Sequence, residues 1–390
     1  MIEQVKGTQN IANGDALKFL HIQKLFYASF VDYGYSFLQT PHIEHTELFQ
    51  KSIGENSEIV SKQMYQFEDK GGRSLVLRPE GTSSIARYHS QYNKGLTKQY
   101  AYFGQMFRYE NPQQNRYREF TQGGVEIIGK LDAYSDFQII ADSIRFLKSL
   151  NIEFVLQINT IGSLQDRTKY SKDLIKYFTI NKDKLSTESR EKIELNTLRI
   201  LDSNNDIDKL IIDDAPEILE YINSESNAKY EELKTLLKDN SISFIENPKL
   251  VRGLDYYNDL TFEFISNNGV VIGGGGRYDQ LSQILNIGSF EGVGVAFGIE
   301  RILNILDQIH QNIDIFLIGT NINKISEYSK FLDEKTLSYY KPPRLSKLNA
   351  QFKLAKNSNA KYVINTDEDT IKDLENNKTI DFDIEVLIAN

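Results

Sequence analysis

Strand-like runs occupy two separated blocks of this chain, and a sheet built from both has to close across the helical stretch between them. The first block, Ser74 to Gly129, holds "SLVLRP", "QYAYFGQMFRYE" and "REFTQGGVEIIG", with turns between them and one helical segment after Gly81. Such runs, bounded by turn residues, read as an antiparallel sheet. Strand signals return in "FEFISNNGVVIGG" and in "GVGVAFGIERILNILDQ", a strand and turn running into a helix. Between the blocks, from about Gln165 to Asn240, "SKDLIKYF", "TESREKIELNTLRIL" and "EILEYINSESNAKYEELKTLLKD" are Lys/Glu-rich and helical. The fold class expected is therefore α+β. Residues 1–164 and 241–310 form an antiparallel sheet domain with flanking helices, 165–240 a helical insertion, and 311–390 a small α/β domain opened by the buried-type strand "IDIFLIG" and completed by a helix and "AKYVINT". Before the first block, "ALKFLHIQKLFYASFVDYG" predicts an amphipathic helix from Ala16 to Gly34, and "YSFLQTPHI" a strand carrying Pro41.

At 390 residues with 40% hydrophobic and 25% charged content, the chain can bury more than one core. It has no cysteine, which excludes disulfides and thiolate chemistry and points to a reducing compartment. The start lacks an apolar secretory core and no run reaches the ~18 apolar residues of a membrane span, so a cytoplasmic protein without a membrane partner is expected. The net charge of -9 argues against wholesale wrapping of nucleic acid and leaves room for a local basic surface.

The densest charge lies in "YFGQMFRYENPQQNRYREFTQGGVEIIG", from Tyr102 to Gly129. Arg108, Glu110, Arg116, Arg118 and Glu119 fall on two expected strands joined by the polar turn "NPQQN", and alternation puts Arg108 and Glu110 on one face. A solvated hairpin with cross-strand ion pairs is one reading. Phe103, Met106, Phe107 and Phe120 in the same segment favour a nucleotide, with guanidinium forks for phosphate and an aromatic ring for the base. In "LRPEGT", Glu80 either complements the dipole of the following helix or binds an amine. In "LVRGLDYYNDLTFEF", Arg252 either pairs with Asp255 or holds a carboxylate or phosphate. The glycine runs "GGGGRYD" and "GVGVAFG" miss the dinucleotide spacing and lack a P-loop lysine, and they read as close backbone packing in a sheet floor that a ligand can approach. His42 and His45 in "HIEH" have no third histidine nearby and read as a polar strand end, so no metal site is expected.

Taken in order, "LRPEGT", the Arg108 hairpin, "LVRGLDYYNDLTFEF", "GGGGRYDQL" and "GVGVAFGIERIL" resemble the signature segments of histidyl-tRNA synthetases, members of the class II aminoacyl-tRNA synthetases. "YGYSFLQTPHIEHTELF" resembles the first class II motif, the Arg108 hairpin the second and the Arg301 segment the third, while "LVRGLDYY" and "GGGGRYD" resemble the histidine-specific motifs. The resemblance implies a histidine–tRNA ligase that uses ATP with Mg²⁺ to make histidyl-adenylate and then charges tRNA(His), acting as a homodimer with Pro41 near the interface. It implies that Arg108 and Arg252 act on the α-phosphate, that Arg116 and Arg301 hold the outer phosphates, and that Phe120 and Glu110 bind adenine. Glu80, Thr82 and Gln122 are implied around the substrate amine and carboxylate, Glu126 and Tyr257 at the imidazole, with Arg252, Tyr256 and Tyr278 completing the histidine site. Asn111 and Gln113 are implied in the loop that meets the tRNA acceptor end. The sequence departs from the family there, with Asn111 where arginine is usual and Asn115 where glycine is common. It also departs at "LSYYKPPRL", which replaces a longer helix and strand in the final, anticodon-binding-like domain. A paralogue that binds histidine as a regulatory subunit of ATP phosphoribosyltransferase is the alternative; it lacks that final domain and departs in the ATP-binding arginines.

Overall fold

The computed structural model describes residues 2–54, 57–111, 116–309, 314–358 and 360–383. Two compact units divide the chain, Met1–Gln308 and Ile309–Asn390.

The first unit opens with helix α1 (Asn13–Phe30), whose buried Lys18, Ile22, Phe26, Ser29 and Phe30 recur at three- and four-residue spacing. The helix stops at Phe30 and not at Gly34: a 3-10 turn, Val31–Tyr33, follows, and Gly34 at φ 96° takes the left-handed conformation that ends it. "YSFLQTPHI" is two strands where one was expected. β1 (Ser36–Phe37) and β2 (Ile43–His45) lie in different sheets, and Pro41, which has no N–H for a ladder, stands between them. After α2 (Thr46–Ile53) come β3 (Tyr65–Glu68) and β4 (Ser74–Leu77), which complete a small sheet in the order β2-β4-β3 among the described residues.

Helix α3 (Thr82–Tyr92) leads to the long hairpin β5 (Lys98–Phe107) and β6 (Glu119–Gly129). Helix α4 (Ala133–Ser149) starts at a capping box between Asp132 and Ser135 and is followed by β7 (Phe154–Thr160). Four helices then stand between this strand and the rest of the sheet: α5 (Leu164–Ile180), α6 (Thr187–Leu195), α7 (Asp206–Asp213) and α8 (Ser224–Asp239). Side chains of Ser163, Ser186, Asn205 and Asn223 cap their first turns, so each start is written locally in the sequence. The sheet resumes with β8 (Ile245–Glu246), β9 (Asn258–Ser266) and β10 (Val271–Arg277), then α9 (Leu281–Ile284), β11 (Glu291–Gly298) and α10 (Ile299–Ile305).

Among the described residues the main sheet has eight strands in the order β1-β5-β6-β11-β10-β9-β7-β8, antiparallel except for the parallel pairs at its two edges. Alternation gives it two different faces. Ala101, Phe103, Val125, Ile127, Phe262, Phe264, Val293, Val295 and Phe297 point into a core closed by α1, α4 and α8. On the opposite face Tyr100, Tyr102, Met106 and Ile128 pack with Ile85 of α3 and with Tyr256, Tyr257 and Tyr278. Helices α5 to α7 hold a further core of their own, built on Tyr170, Leu174, Phe178, Ile193 and Ile212. The α+β class is as expected, with helices flanking a largely antiparallel sheet.

The second unit contains β12 (Ile315–Ile318), α11 (Ile322–Glu334), β13 (Tyr339–Tyr340), α12 (Leu348–Asn357), β14 (Tyr362–Asn365), β15 (Thr370–Asp373) and β16 (Lys378–Asp381). Its sheet runs β13-β12-β14-β15-β16 among the described residues, and all four side chains of β12 are buried, as its uninterrupted apolar run requires. No helix of the described residues is long and apolar enough to cross a membrane.

Candidate active site

The polar face of the main sheet carries the site. On β6, Phe120, Gln122 and Glu126 are even-numbered and share this face with Tyr102 of β5, while Val125 and Ile127 go to the core. Glu126 is 1% exposed. The Thr82 hydroxyl donates to its Oε1 at 2.7 Å and the Tyr278 phenol to its Oε2 at 2.7 Å. Burial dominates its titration and pushes the pKa up to about 8, against the lowering from these two donors. The strand opposite makes room for it: Gly294 of β11 pairs with Glu126, and a Cβ there would overlap the carboxylate. Glycine at this position clears room for a side chain, where the sequence reading expected close backbone packing that a ligand can approach.

Buried polar groups on this face are sparsely partnered by the protein. The hydroxyls of Tyr102 and Tyr256 both turn to Thr82, which already donates to Glu126, and Oε1 of Gln122 has no partner among the described residues. Burial and the Glu80 and Glu126 charges raise the pKa of both tyrosines, so their hydroxyls stay protonated donors. Leaving such groups unpaired costs about 1–3 kcal/mol each, which a polar ligand would recover. Tyr256 and Tyr257 pack ring to ring at 4.8 Å, and Tyr256 meets Tyr278 at 5.9 Å.

Glu80 is 3% exposed and caps α3: Thr82 N–H donates to it at 2.6 Å and Ser83 N–H at 2.9 Å. The helix-terminus reading of Glu80 is thus realised, and the carboxylate retains acceptor capacity for a further donor.

Near these groups is a concentration of guanidinium groups. Arg108 donates from Nε to Pro79 O at 2.9 Å, and its charge lies 5.3 Å from the Phe120 ring centroid. Glu110 sits between Arg108 at 4.0 Å and Arg116 at 3.9 Å. Strand alternation does not bring these together as the sequence reading expected. β5 ends at Phe107, and the Glu110 N–H folds back onto Arg108 O at 2.8 Å in a tight turn. Arg118 follows its own course, stacking on Tyr109 at 3.8 Å. Arg301, at the start of α10, donates to Val271 O at 2.7 Å; burial and the nearby charges of Arg116, Arg252 and Arg108 lower its pKa. Burial lowers Arg108 as well. Cations that depress one another in this way leave a site for a polyanion.

Arg252 does not pair with Asp255. Its ion-pair partner is Glu263 on β9, and it lies flat over Gly274, where an added Cβ would come within 2.5 Å of the guanidinium. Its Nε is buried without a partner. Asp255 instead faces Arg199 and Arg167. Asn111 is exposed, and Gln113 and Asn115 lie outside the described residues.

Tyr102 and Glu263 escape the sequence reading. Tyr102 looks like one more aromatic in a strand. Glu263 carries a weak signal, a carboxylate between Phe262 and Phe264 in an otherwise apolar run. The structure therefore collects Glu80, Thr82, Gln122, Glu126, Tyr256, Tyr257 and Tyr278 with Tyr102 at one end, and Arg108, Glu110, Arg116, Phe120, Arg252 and Arg301 at the other. An arrangement of this kind fits a small zwitterion with a polar ring beside a polyphosphate.

The sequence profile described as histidyl-tRNA synthetase matches residues 7–302. A histidine–tRNA ligase of Streptococcus thermophilus is 35% identical over 95% of this chain and 91% of its own length. One from Streptococcus pyogenes is 36% identical over the same shares. The crystal structure of apo S. aureus histidyl-tRNA synthetase superposes with a TM-score of 0.76 and 30% identity, covering 100% of this chain and 99% of that one.

Proposed function

The chain belongs to the histidyl-tRNA synthetase family and is a histidine–tRNA ligase, and from that premise we propose how its residues divide the two steps of the reaction. The observation that carries the assignment is the buried Glu126 carboxylate among sparsely partnered polar groups, with Arg108, Arg116, Arg252 and Arg301 gathered near one another on the same side of the sheet.

L-histidine binds with its imidazole N–H donated to Glu126, with the phenols of Tyr257 and Tyr278 beside the ring. Its ammonium is held by Glu80, Gln122 and Thr82. ATP binds with adenine on Phe120 near Glu110, its outer phosphates toward Arg116 and Arg301, and its α-phosphate between Arg108 and Arg252. Mg²⁺ enters as part of the nucleotide substrate, since guanidinium groups attract phosphate and cannot ligate a cation.

No side chain has to act as a base in the first step, because the histidine carboxylate is already a nucleophile. One of its oxygens attacks the α-phosphorus, the bond to the bridging oxygen breaks, and pyrophosphate leaves. Charge accumulates on the α-phosphate oxygens, where Arg108 and Arg252 are placed to compensate it. In the second step the terminal ribose hydroxyl of tRNA(His) attacks the adenylate carbonyl and AMP departs.

The helices from 165 to 240 are read as an insertion in the catalytic domain, and the second unit as an anticodon-binding-like domain. Support for the latter is the run from Lys341 to Lys361, which has six Lys or Arg and no Asp or Glu despite the net charge of -9. A homodimer with Pro41 near its interface and a cytoplasmic location complete the reading. The regulatory-paralogue reading is disfavoured by the joint presence of Arg108, Arg116, Arg252 and Arg301 and of a further folded unit after residue 308.

Histidine-dependent exchange of pyrophosphate into ATP tests the first step, and charging of a tRNA(His) transcript, compared with one lacking the extra 5' nucleotide, tests the second. Purified protein that binds histidine but gives no exchange would return the assignment to the regulatory class.

A further inference from the structure

The stretch from Leu250 to Tyr257 carries both Arg252 and the paired tyrosines, yet it has no regular secondary structure to hold it. Asn159 of β7 donates to Leu250 O at 3.0 Å and Glu263 of β9 pairs with Arg252; the stretch's other anchors come from the helices between β7 and β8. Val251 is buried in their core, together with Tyr170, Leu174 and Ile200. Arg167 of α5 donates to two carbonyls of the stretch, Tyr257 O at 2.5 Å and Asp255 O at 3.1 Å. Asn196, at the end of α6, hydrogen-bonds the Asp255 side chain. Arg199, in the 3-10 turn Thr197–Ile200, donates to Gly253 O, immediately after Arg252. A Cβ at position 253 would lie 2.9 Å from the Arg199 guanidinium, so the glycine lets it lie against the backbone. Asp202, 3.7 Å from Arg199, orients it from the other side.

These contacts tie the irregular side of the site to a separate helical cluster, whereas the nucleotide groups Arg108, Phe120 and Arg301 stand on or beside the sheet. We propose that Arg199 is a positioning residue for histidine activation: by holding Gly253 O, with Arg167 on the carbonyls of Asp255 and Tyr257, it keeps the Arg252 guanidinium turned to the α-phosphate and the Tyr257 ring to the histidine imidazole. It touches neither histidine nor ATP. The inference rests on the site assignment above.

The test uses the full chain in the exchange assay, with histidine and ATP titrated separately. Arg199→Ala raises KM for histidine about tenfold and lowers kcat, the scale of one lost charge-assisted hydrogen bond, while KM for ATP stays within about twofold. Arg199→Gln, too short to reach Gly253 O, behaves like alanine, and Arg199→Lys, which keeps a charged donor of similar reach, recovers most of the loss. A histidine KM at the wild-type value in the alanine or glutamine variant overturns the proposal, as does a lysine variant no better than alanine. If alanine and glutamine variants both fail to fold, Arg199 is structural and the proposal is likewise overturned. Absence of exchange in the wild-type protein would strike the site assignment instead.

Discussion

Glu126 accepts hydrogen bonds on both oxygens, from Thr82 and Tyr278 at 2.7 Å each, yet burial still lifts its pKa to about 8. An unfolded glutamate titrates near ~4.3. The folded form therefore binds its proton more tightly, and the stabilisation this gives, complete below the unfolded value, is lost as pH rises through about 8. Glu126→Gln removes that dependence while keeping the shape. The variant is expected to gain stability relative to wild type between pH 5 and pH 8.5, by an amount on the order of a few kcal/mol, while losing histidine-dependent exchange. Calorimetric scans of both proteins at the two pH values check this, and a stability difference that does not change with pH would refute it. Arg252 poses the complementary case, because its removal strands Glu263 in a half-buried position. Arg252→Ala should lower exchange by about 10²–10³-fold and also reduce stability. Adding Glu263→Gln should restore the stability and none of the activity. Recovery of exchange in the double variant would show that Arg252 serves the fold alone.

Strand β11 shows how an element serves the site by what it omits. Gly294 faces Glu126 across the ladder, and Val125 O is 2.9 Å from where a Cβ would stand. Gly294→Ala has a backbone neighbour that cannot yield, so the Glu126 carboxylate has to move. The expected result is a histidine KM raised tenfold or more, an unchanged KM for ATP, and a loss of about 1–3 kcal/mol in stability; equal KM values for histidine in variant and wild type would refute it. The glycine runs were legible as close backbone packing in a sheet floor, and β5, β6, β9, β10 and β11 as strands, because alternation and turn residues are local signals. The split of "YSFLQTPHI" into β1 and β2 was not, since which sheet each half joins is decided by partners, Tyr100 and Ala101 for one and Val76 for the other, that lie far along the chain. The same reason hid Glu263 as the partner of Arg252 and left Arg199 unremarked among helical residues. The segments that hold Arg108, Glu126 and Arg252 stood out because their motifs are short and contiguous; the turn that seats Glu110 between Arg108 and Arg116 did not, because it depends on β5 ending at Phe107.

Each unit of the molecule buries its own apolar residues. Every member of the cores around Phe26, Tyr102 and Tyr170 precedes residue 308, whereas Ile315, Leu317, Leu332 and Ile364 on one face of the second sheet, and Phe316, Ala355 and Val363 on the other, all follow it. Units whose cores share no member can unfold separately. On the assignment proposed above, histidine and ATP bind among residues of the first unit, and mass action then stabilises that unit by about 2.7 kcal/mol per ligand held at 100 times its Kd. Differential scanning calorimetry of the full chain should therefore resolve two transitions, of which histidine with ATP and Mg²⁺ raises one and leaves the other in place. Truncation after Gln308 should remove the unshifted transition, preserve histidine-dependent exchange, and weaken charging of tRNA(His), because the basic run from Lys341 to Lys361 goes with it. A single transition that moves as a whole on ligand addition would mean that the second unit is stabilised through the catalytic one, and the division of labour argued from their separate cores would fail.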